Sequence, residues 1–515
     1  MDKVIKITSQ QGFSDSWTVA SAPTTLNLVD FTIPRGYNIN MSKSYISFSS
    51  QFTSSTAAPV NVAWYLDTTN NEKFNVPTSA LIRNAHINND RGQVESIRRN
   101  DTLSCALWSL TQTAESQKGD MNSFAIYENG RGVNNHSSYN LDSITNNSEN
   151  DGTTTASGLS NVSRMLNRDI KVPLKDFLGV GNTERYSTEI MGETRLHCET
   201  NFKNLKSVIL GGDEDSSLMF DETNNYGDMV DMVSPIADNT SFIMESAGGY
   251  GDWQYTYPFF VGQAVQVAYT GDQGIGAITV DTTIVSINYQ SDNTATPPTG
   301  QSKVFAVLAD SILDNTTGAI VNITDIKITA KIDATITNTI NRAELVLYTI
   351  PDDGNMPESL TYPCYTTEED NGNGLNSFAK SYVCEPEADA VIICLPKTSD
   401  ILPNLPFESY RYSVNQVEQT GNRSIPVCTN LVHGSSLQYE RLQRCLEEQI
   451  GVGWRNGHLR FYKQLQDQDQ SYPDPISVIA ETLEQTPETK MLNLEIECAA
   501  GLQQIVIYKH MTKTI

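Results

Sequence analysis

No apolar run in this chain approaches the ~18 residues that a membrane-crossing helix needs; the longest, Ala390 to Leu395, has the length of a buried strand. Positive charge is scarce as well. Across 515 residues, 35 Lys and Arg face 61 Asp and Glu, for a formal net charge of -26. That excludes broad, unaided binding to phosphate backbones, which depends on clustered Lys and Arg. From Ser207 to Ser302 there is no Lys or Arg at all, and the acids from Asp213 to Asp292 carry half of the net charge. The opening, MDKVIKITSQQ, has no apolar stretch after its lysines and is read as carrying no secretory signal.

Catalytic and metal-binding patterns are missing too. HExxH, GxSxG and GxxxxGK[ST] do not occur. The eight cysteines form no CxxC pair, and in a chain with no export signal they are expected to be reduced and mostly buried. His197 beside Cys198 offers two zinc ligands, but no second pair exists to close a tetrahedral site, so a core or surface histidine is expected. Asp467 and Asp469 offer paired carboxylates, and Asp213-Glu214-Asp215 offers hard oxygens for calcium but without an EF-hand-like spacing; a solvated turn and an exposed acidic excursion are the readings expected for them. Gly179-Val-Gly181 and Gly274-Ile-Gly276 lack the third glycine of a dinucleotide fingerprint and read as turns. No catalytic, cofactor-binding or metal-binding residue is assigned, and the chain is expected not to be an enzyme.

What the chain has is Asn, Ser and Thr: 43, 46 and 50, together 139 of its residues. Thr suits a pleated surface, while Asn and Ser suit turns. Between Thr324 and Ile340, isoleucines and alanines alternate with Asp, Lys and Thr, which puts every apolar side chain on one face of a strand. The same period appears at Val29, Phe31 and Ile33, at Ala343, Leu345 and Leu347, and at Leu492, Leu494, Ile496 and Cys498. Short strands spread from end to end predict packed antiparallel sheets, an all-β fold. Helices are predicted only from about Thr102 to Leu110, capped by Asn100 or Asp101, and from Leu437 to Ile450, where Ser435 and Gln438 form a capping box. Residues 118–162, dense in Asn, Ser, Gly and Thr, read as a long exposed loop.

Taken in order, five segments resemble one family. PTSALIRNAHINNDRGQVESIRRNDTLSCAL (Pro77 to Leu107), RDIKVPLKDFLGVG (Arg168 to Gly181) and PFFVGQAVQV (Pro258 to Val267) are followed by FESYRYSVNQVEQTGNRSI (Phe407 to Ile425). The last is the run from Tyr472 to Ile515. They resemble, in order, elements of the double jelly-roll major capsid proteins of Polintons, polinton-like viruses and virophages, in the broad lineage of adenovirus hexon.

The resemblance implies two tandem eight-stranded jelly rolls with long loop insertions and a few short helices. The first would span 1–350, with a tower-like loop at about 118–162 and a late β insertion at about 250–325. The second would span 351–515. It also implies a homotrimeric, pseudo-hexagonal capsomer that tiles an icosahedral shell around a double-stranded DNA genome. Its partners would be other copies of itself, penton proteins and minor or cement proteins. It would make no direct sequence-specific contact with nucleic acid. It would reside in the virion, made in the host cytoplasm and assembled there, in a virus factory or in the nucleus. Two competitors share the composition: a carbohydrate- or receptor-binding β-sandwich of the fibre or adhesin kind, and a glycoside-active β enzyme with carboxylates distant in sequence.

Overall fold

A computed structural model of the chain describes residues 3–10, 15–18, 28–54, 61–66, 76–111, 123–124, 138–140, 164–209, 241–244, 264–270, 278–291, 302–309, 324–330, 336–351, 359–396, 408–420, 425–426, 436–450 and 478–515. Eight strands of the first part build its framework: β1 (Lys3–Thr8), β2 (Leu28–Ile33), β3 (Asn38–Ser54), β4 (Ile82–Asn89), β5 (Gly92–Ile97), β6 (Arg164–Pro173), β7 (Thr194–Thr200) and β8 (Ile336–Thr349). They pair antiparallel in two sheets, ordered β1-β8-β3-β6 and β2-β7-β4-β5.

The second part uses one long strand, Thr361–Cys384, whose two ends join different sheets; 361–371 is β9 and 377–384 is β10. Then come β11 (Ala388–Cys394), β12 (Ser409–Val414), β13 (Val417–Glu418) and β14 (Val478–Thr482). A second long strand, Lys490–Thr514, supplies 490–497 as β15 and 504–514 as β16. The sheet orders are β9-β16-β11-β14 and β10-β15-β12-β13. Adding eight to every label of the first two sheets yields these two. Eight antiparallel strands in two such sheets form a jelly roll, so the chain is a double jelly roll. At the corner of the long strands the backbones nearly touch. Asn373 and Gly374 take φ of 53° and 70°, and a Cβ at Gly501 would fall 2.3 Å from the Gly374 carbonyl oxygen.

Alternation fills the space between the sheets. In β2, Val29, Phe31 and Ile33 are buried and the residues between them half-buried, the pattern of a strand with one covered face. β11 is buried at all seven positions because helical residues 445–450 and the first helix cover its second face. That first helix, α1 (Asn100–Thr111), follows β5, and α2 (Ser436–Arg444), continued by a π-helical turn at Cys445–Ile450, follows β13. Each roll therefore places its helix after the equivalent strand. Asn100 does not cap α1: its side-chain amide donates to the carbonyls of Ser79 and Ile82 instead, anchoring the helix to the segment before β4. Ser435 lies outside the described residues.

The insertions meet at one end of the first roll. Residues 61–66, 138–140 and 205–209 come from the β3–β4, β5–β6 and β7–β8 connections, and they pair in one three-stranded sheet. The β7–β8 connection also holds a five-stranded antiparallel sheet. It begins at Ser241–Met244, earlier than expected, and ends with Thr324–Ala330. The alternating run predicted as one strand from Thr324 to Ile340 thus serves two sheets: Thr324–Ala330 completes the insertion, and β8 opens at Ile336. Most of 118–162 lies outside the described residues.

Seven cysteines (105, 198, 364, 384, 394, 445 and 498) are buried and unpaired with one another; Cys428 lies outside the described residues. Burial pushes the thiols of Cys384 and Cys498 up to about 11 and that of Cys364 to about 12. Iodoacetamide is therefore expected to leave these seven unlabelled in the native protein and to label all of them in guanidinium, read by peptide mass. Native labelling at any of the seven would contradict this packing.

Candidate functional site

The two rolls touch where β5 of the first lies beside β9 of the second, joined by one parallel bridge between Ser96 and Thr366. On β5 the register slips between its partners Ile87 and Asn88, leaving Val94 as an extra residue in a bulge. Ile97 and Glu95 consequently share the inward face. The Glu95 carboxylate, only 1% exposed, accepts three backbone N–H groups: Gly179 at 2.8 Å and Tyr365 at 2.9 Å on Oε1, and Val180 at 3.0 Å on Oε2. One side chain therefore ties β5, the loop after β6 and the opening strand of the second roll. Burial pushes its pKa up to about 7, against the pull of the three N–H donors. Gly179 is required by this approach, since a Cβ there would lie 2.8 Å from the Cys364 Cα.

Arg99, just past β5, extends the junction. Its backbone sits at φ 50°, its Nε donates to Asp101 at 3.2 Å and its Nη2 to Thr102 at 2.9 Å, and Nη1 reaches Gln504 on β16. The Tyr508 hydroxyl of β16 donates back to the Arg99 carbonyl at 2.6 Å, and the Arg98 N–H donates to Thr367 at 3.2 Å. Arg99, Asp101, Thr102 and Tyr508 are buried, so this part of the junction is a set of hydrogen-bonded polar groups held within apolar packing, while Arg98 lies at its exposed rim.

A second buried carboxylate holds α2 to its sheet. Glu481 on β14 accepts the hydroxyls of Tyr410 at 2.6 Å and Tyr412 at 2.9 Å and an Arg441 N–H at 2.9 Å. Beside it Tyr412, Arg441, Arg444, Glu440 and Thr482 line a cavity of about 290 Å³. Elsewhere in the second roll, Lys490 Nζ donates to the carbonyls of Pro386, Ala388 and Glu484, and His510 pairs with Asp389 at 2.6 Å.

The structure separates the zinc candidates. Along β7 successive side chains point to opposite faces, so His197 pairs with Asp30 and stacks on His86 outside, while Cys198 is in the core. Gly179 and Gly181 are not merely turn glycines: their loop supplies backbone donors to Glu95. Gly274, Gly276, Asp213–Asp215, Asp467, Asp469, His136, His433 and His458 lie outside the described residues. Among the described residues, no group of three His, Cys, Asp or Glu could hold a metal, and no helix is long and apolar enough to cross a membrane.

The fold class, then, is a double jelly roll with its two rolls clasped through Glu95 and Arg99. No protein-family profile and no curated protein matches the chain. Among solved structures it is similar to the capsid of PBCV-1 virus (7% identity, 100% of this chain and 94% of that chain, TM-score 0.34). It is also similar to the mavirus major capsid protein (9%, 99% and 86%, TM-score 0.32) and to the Sputnik virophage structure (11%, 98% and 86%, TM-score 0.32). The strand order of the four sheets defines the double jelly roll.

Proposed function

We propose that this chain is a viral major capsid protein whose work is self-association. The observation that carries this reading is the joining of two complete jelly rolls edge to edge within one chain, through buried contacts, with the long insertions gathered at one end of the first. The rolls correspond to domains 1–350 and 351–515. Three copies close into a pseudo-hexagonal capsomer of six rolls, the insertions forming its outward tower, and capsomers tile an icosahedral shell around a double-stranded DNA genome in the virion. Each specific contact is expected to bury on the order of 1,200 Å² or more. No catalytic step is assigned to the chain. Penton and minor proteins complete the shell, and a basic partner rather than this acidic surface meets the genome.

Size-exclusion chromatography with light scattering tests the reading. The expected result is a species of three times 56.9 kDa that forms sheets or shells in negative stain. With a net charge of -26, like-charged capsomers repel until screened, so turbidity is expected to rise with ionic strength. A monomer at every salt concentration, or one that cleaves an oligosaccharide panel, would overturn it.

A further inference from the structure

One row of side chains crosses the outer face of the β2-β7-β4-β5 sheet. Its members stand directly opposite one another in register: Asp30 on β2, His197 on β7, His86 on β4 and Ser96 on β5. The two imidazoles are therefore neighbours, with one polar residue flanking each. His197 Nδ1 bonds the Asp30 carboxylate, and His86 Nδ1 lies 2.8 Å from the Ser96 hydroxyl. Each of these partners sits on the side of its ring away from the other histidine.

That placement decides which edges of the rings face each other. In an imidazole the Cδ2–Nε2 edge lies across the ring from the Nδ1–Cε1 edge. With both Nδ1 atoms turned outward along the row, both Cδ2–Nε2 edges turn toward the gap between β7 and β4. The ring planes are 29° from parallel and their centroids 6.2 Å apart. Neither Nε2 has a partner among the described residues. An ionised carboxylate only accepts, so Asp30 holds the His197 proton on Nδ1 and leaves the Nε2 lone pair free. The Ser96 hydroxyl can accept from His86 in the same way.

Metal-ligating histidines are oriented like this, one ring nitrogen held by a carboxylate or other acceptor and the second left for the ion. Two Zn–N bonds of about 2.0–2.1 Å let one ion span roughly 4 Å between nitrogens. The facing nitrogens stand at ring corners, closer together than the centroids, and a turn of the two side chains closes the remaining gap. Charge favours a cation, because the carboxylates of Asp30 and Glu199 lie about the pair against the single guanidinium of Arg98. The way in is open: the His197 side chain is 36% exposed and His86 is half-buried. His197 thus finds its partner across the sheet in His86, rather than next along the chain in Cys198.

We infer that His86 and His197 form a surface site for one divalent transition-metal ion of the zinc kind, each supplying Nε2, with Asp30 positioning His197 from behind. The chain gives two ligands and water completes the shell, so the site is weaker than the three- and four-ligand centres that are absent among the described residues. A bound ion ties β4 to β7 and stabilises the folded first roll by mass action. The site does not depend on the capsid reading.

The test strips the full-length protein with a chelator, dialyses it and titrates it with zinc chloride alone by isothermal titration calorimetry. Diethyl pyrocarbonate then labels the histidines with and without zinc, read by peptide mass. The expected results are saturable binding and protection of His86 and His197 by zinc. His86→Gln and His197→Gln are each expected to weaken binding by about tenfold or more, and Asp30→Asn, which keeps an acceptor and drops the charge, by about tenfold. Circular dichroism of the metal-free variants checks their folding, and the labelling of the parent protein decides the matter even if one of them unfolds. No saturable binding up to millimolar zinc, equal binding by the folded double variant, or zinc that leaves both histidines open to the reagent overturns the site.

Discussion

Replacing Glu95 with alanine is expected to cost about 3–5 kcal/mol, the largest effect of any single change considered. The substitution removes the carboxylate that accepts the N–H groups of Gly179, Val180 and Tyr365 in a buried site, and a buried donor that loses its acceptor costs about 1–3 kcal/mol. Chemical denaturation measures the loss, and hydrogen exchange at those three amides localises it. A loss below about 1 kcal/mol would mean that Glu95 is not what joins the rolls. Glu95→Gln keeps one acceptor and turns an N–H toward a backbone donor, so it should fall between. The junction also responds to pH. Its folded pKa of about 7 stands above the ordinary carboxylate value, so the stabilisation is complete below about pH 4.5 and is lost as pH rises through 7. Between pH 5 and 8 this contribution is on the order of 3 kcal/mol at most. It should be visible as a falling melting temperature in the parent protein and a flatter profile in Glu95→Gln. Parallel profiles for the two proteins would assign the titration elsewhere.

Glu481→Ala is expected to cost about 3 kcal/mol, through a different element. It removes the carboxylate that accepts the hydroxyls of Tyr410 and Tyr412 and that balances the Arg441 guanidinium in a buried place. The first roll does not use this carboxylate, so the effect should be local. Amides of residues 436–450 should lose exchange protection while those of β2, β4 and β7 keep theirs. Tyr410→Phe, which removes one of the three donors along with its need, should cost about 1 kcal/mol. If α2 stays fully protected in Glu481→Ala, then packing rather than this carboxylate holds the helix.

The strands were legible because they have one wet face. Val29, Phe31 and Ile33, and Leu492, Leu494 and Ile496, announce period two, and both helices were placed within a few residues. The order of the strands was not legible from periodicity, since pairing between Lys3 and Thr349 leaves no local trace; only the resemblance of ordered segments anticipated it. Glu95 was invisible for a specific reason. Simple alternation from Val94 places the glutamate outward, and the bulge at Val94 turns it inward. Asn100 looked like a helix cap because its competing partners, the carbonyls of Ser79 and Ile82, are brought near only by the fold. The alternating run after Thr324 was read as one strand because a pattern of side chains does not say which sheet receives them.

The strand order also sets a timetable for synthesis. The hydroxyl of Thr349 donates to the Lys3 carbonyl across 346 residues, whereas Thr361 and Thr514 close the second roll across 153. At equilibrium that difference is worth only about 0.7 kcal/mol of loop-closure entropy. On the ribosome it matters more. The nascent β1 has to wait, unpaired, until the whole β7–β8 insertion has been translated, and during that interval it can pair with a neighbouring nascent chain on the same message.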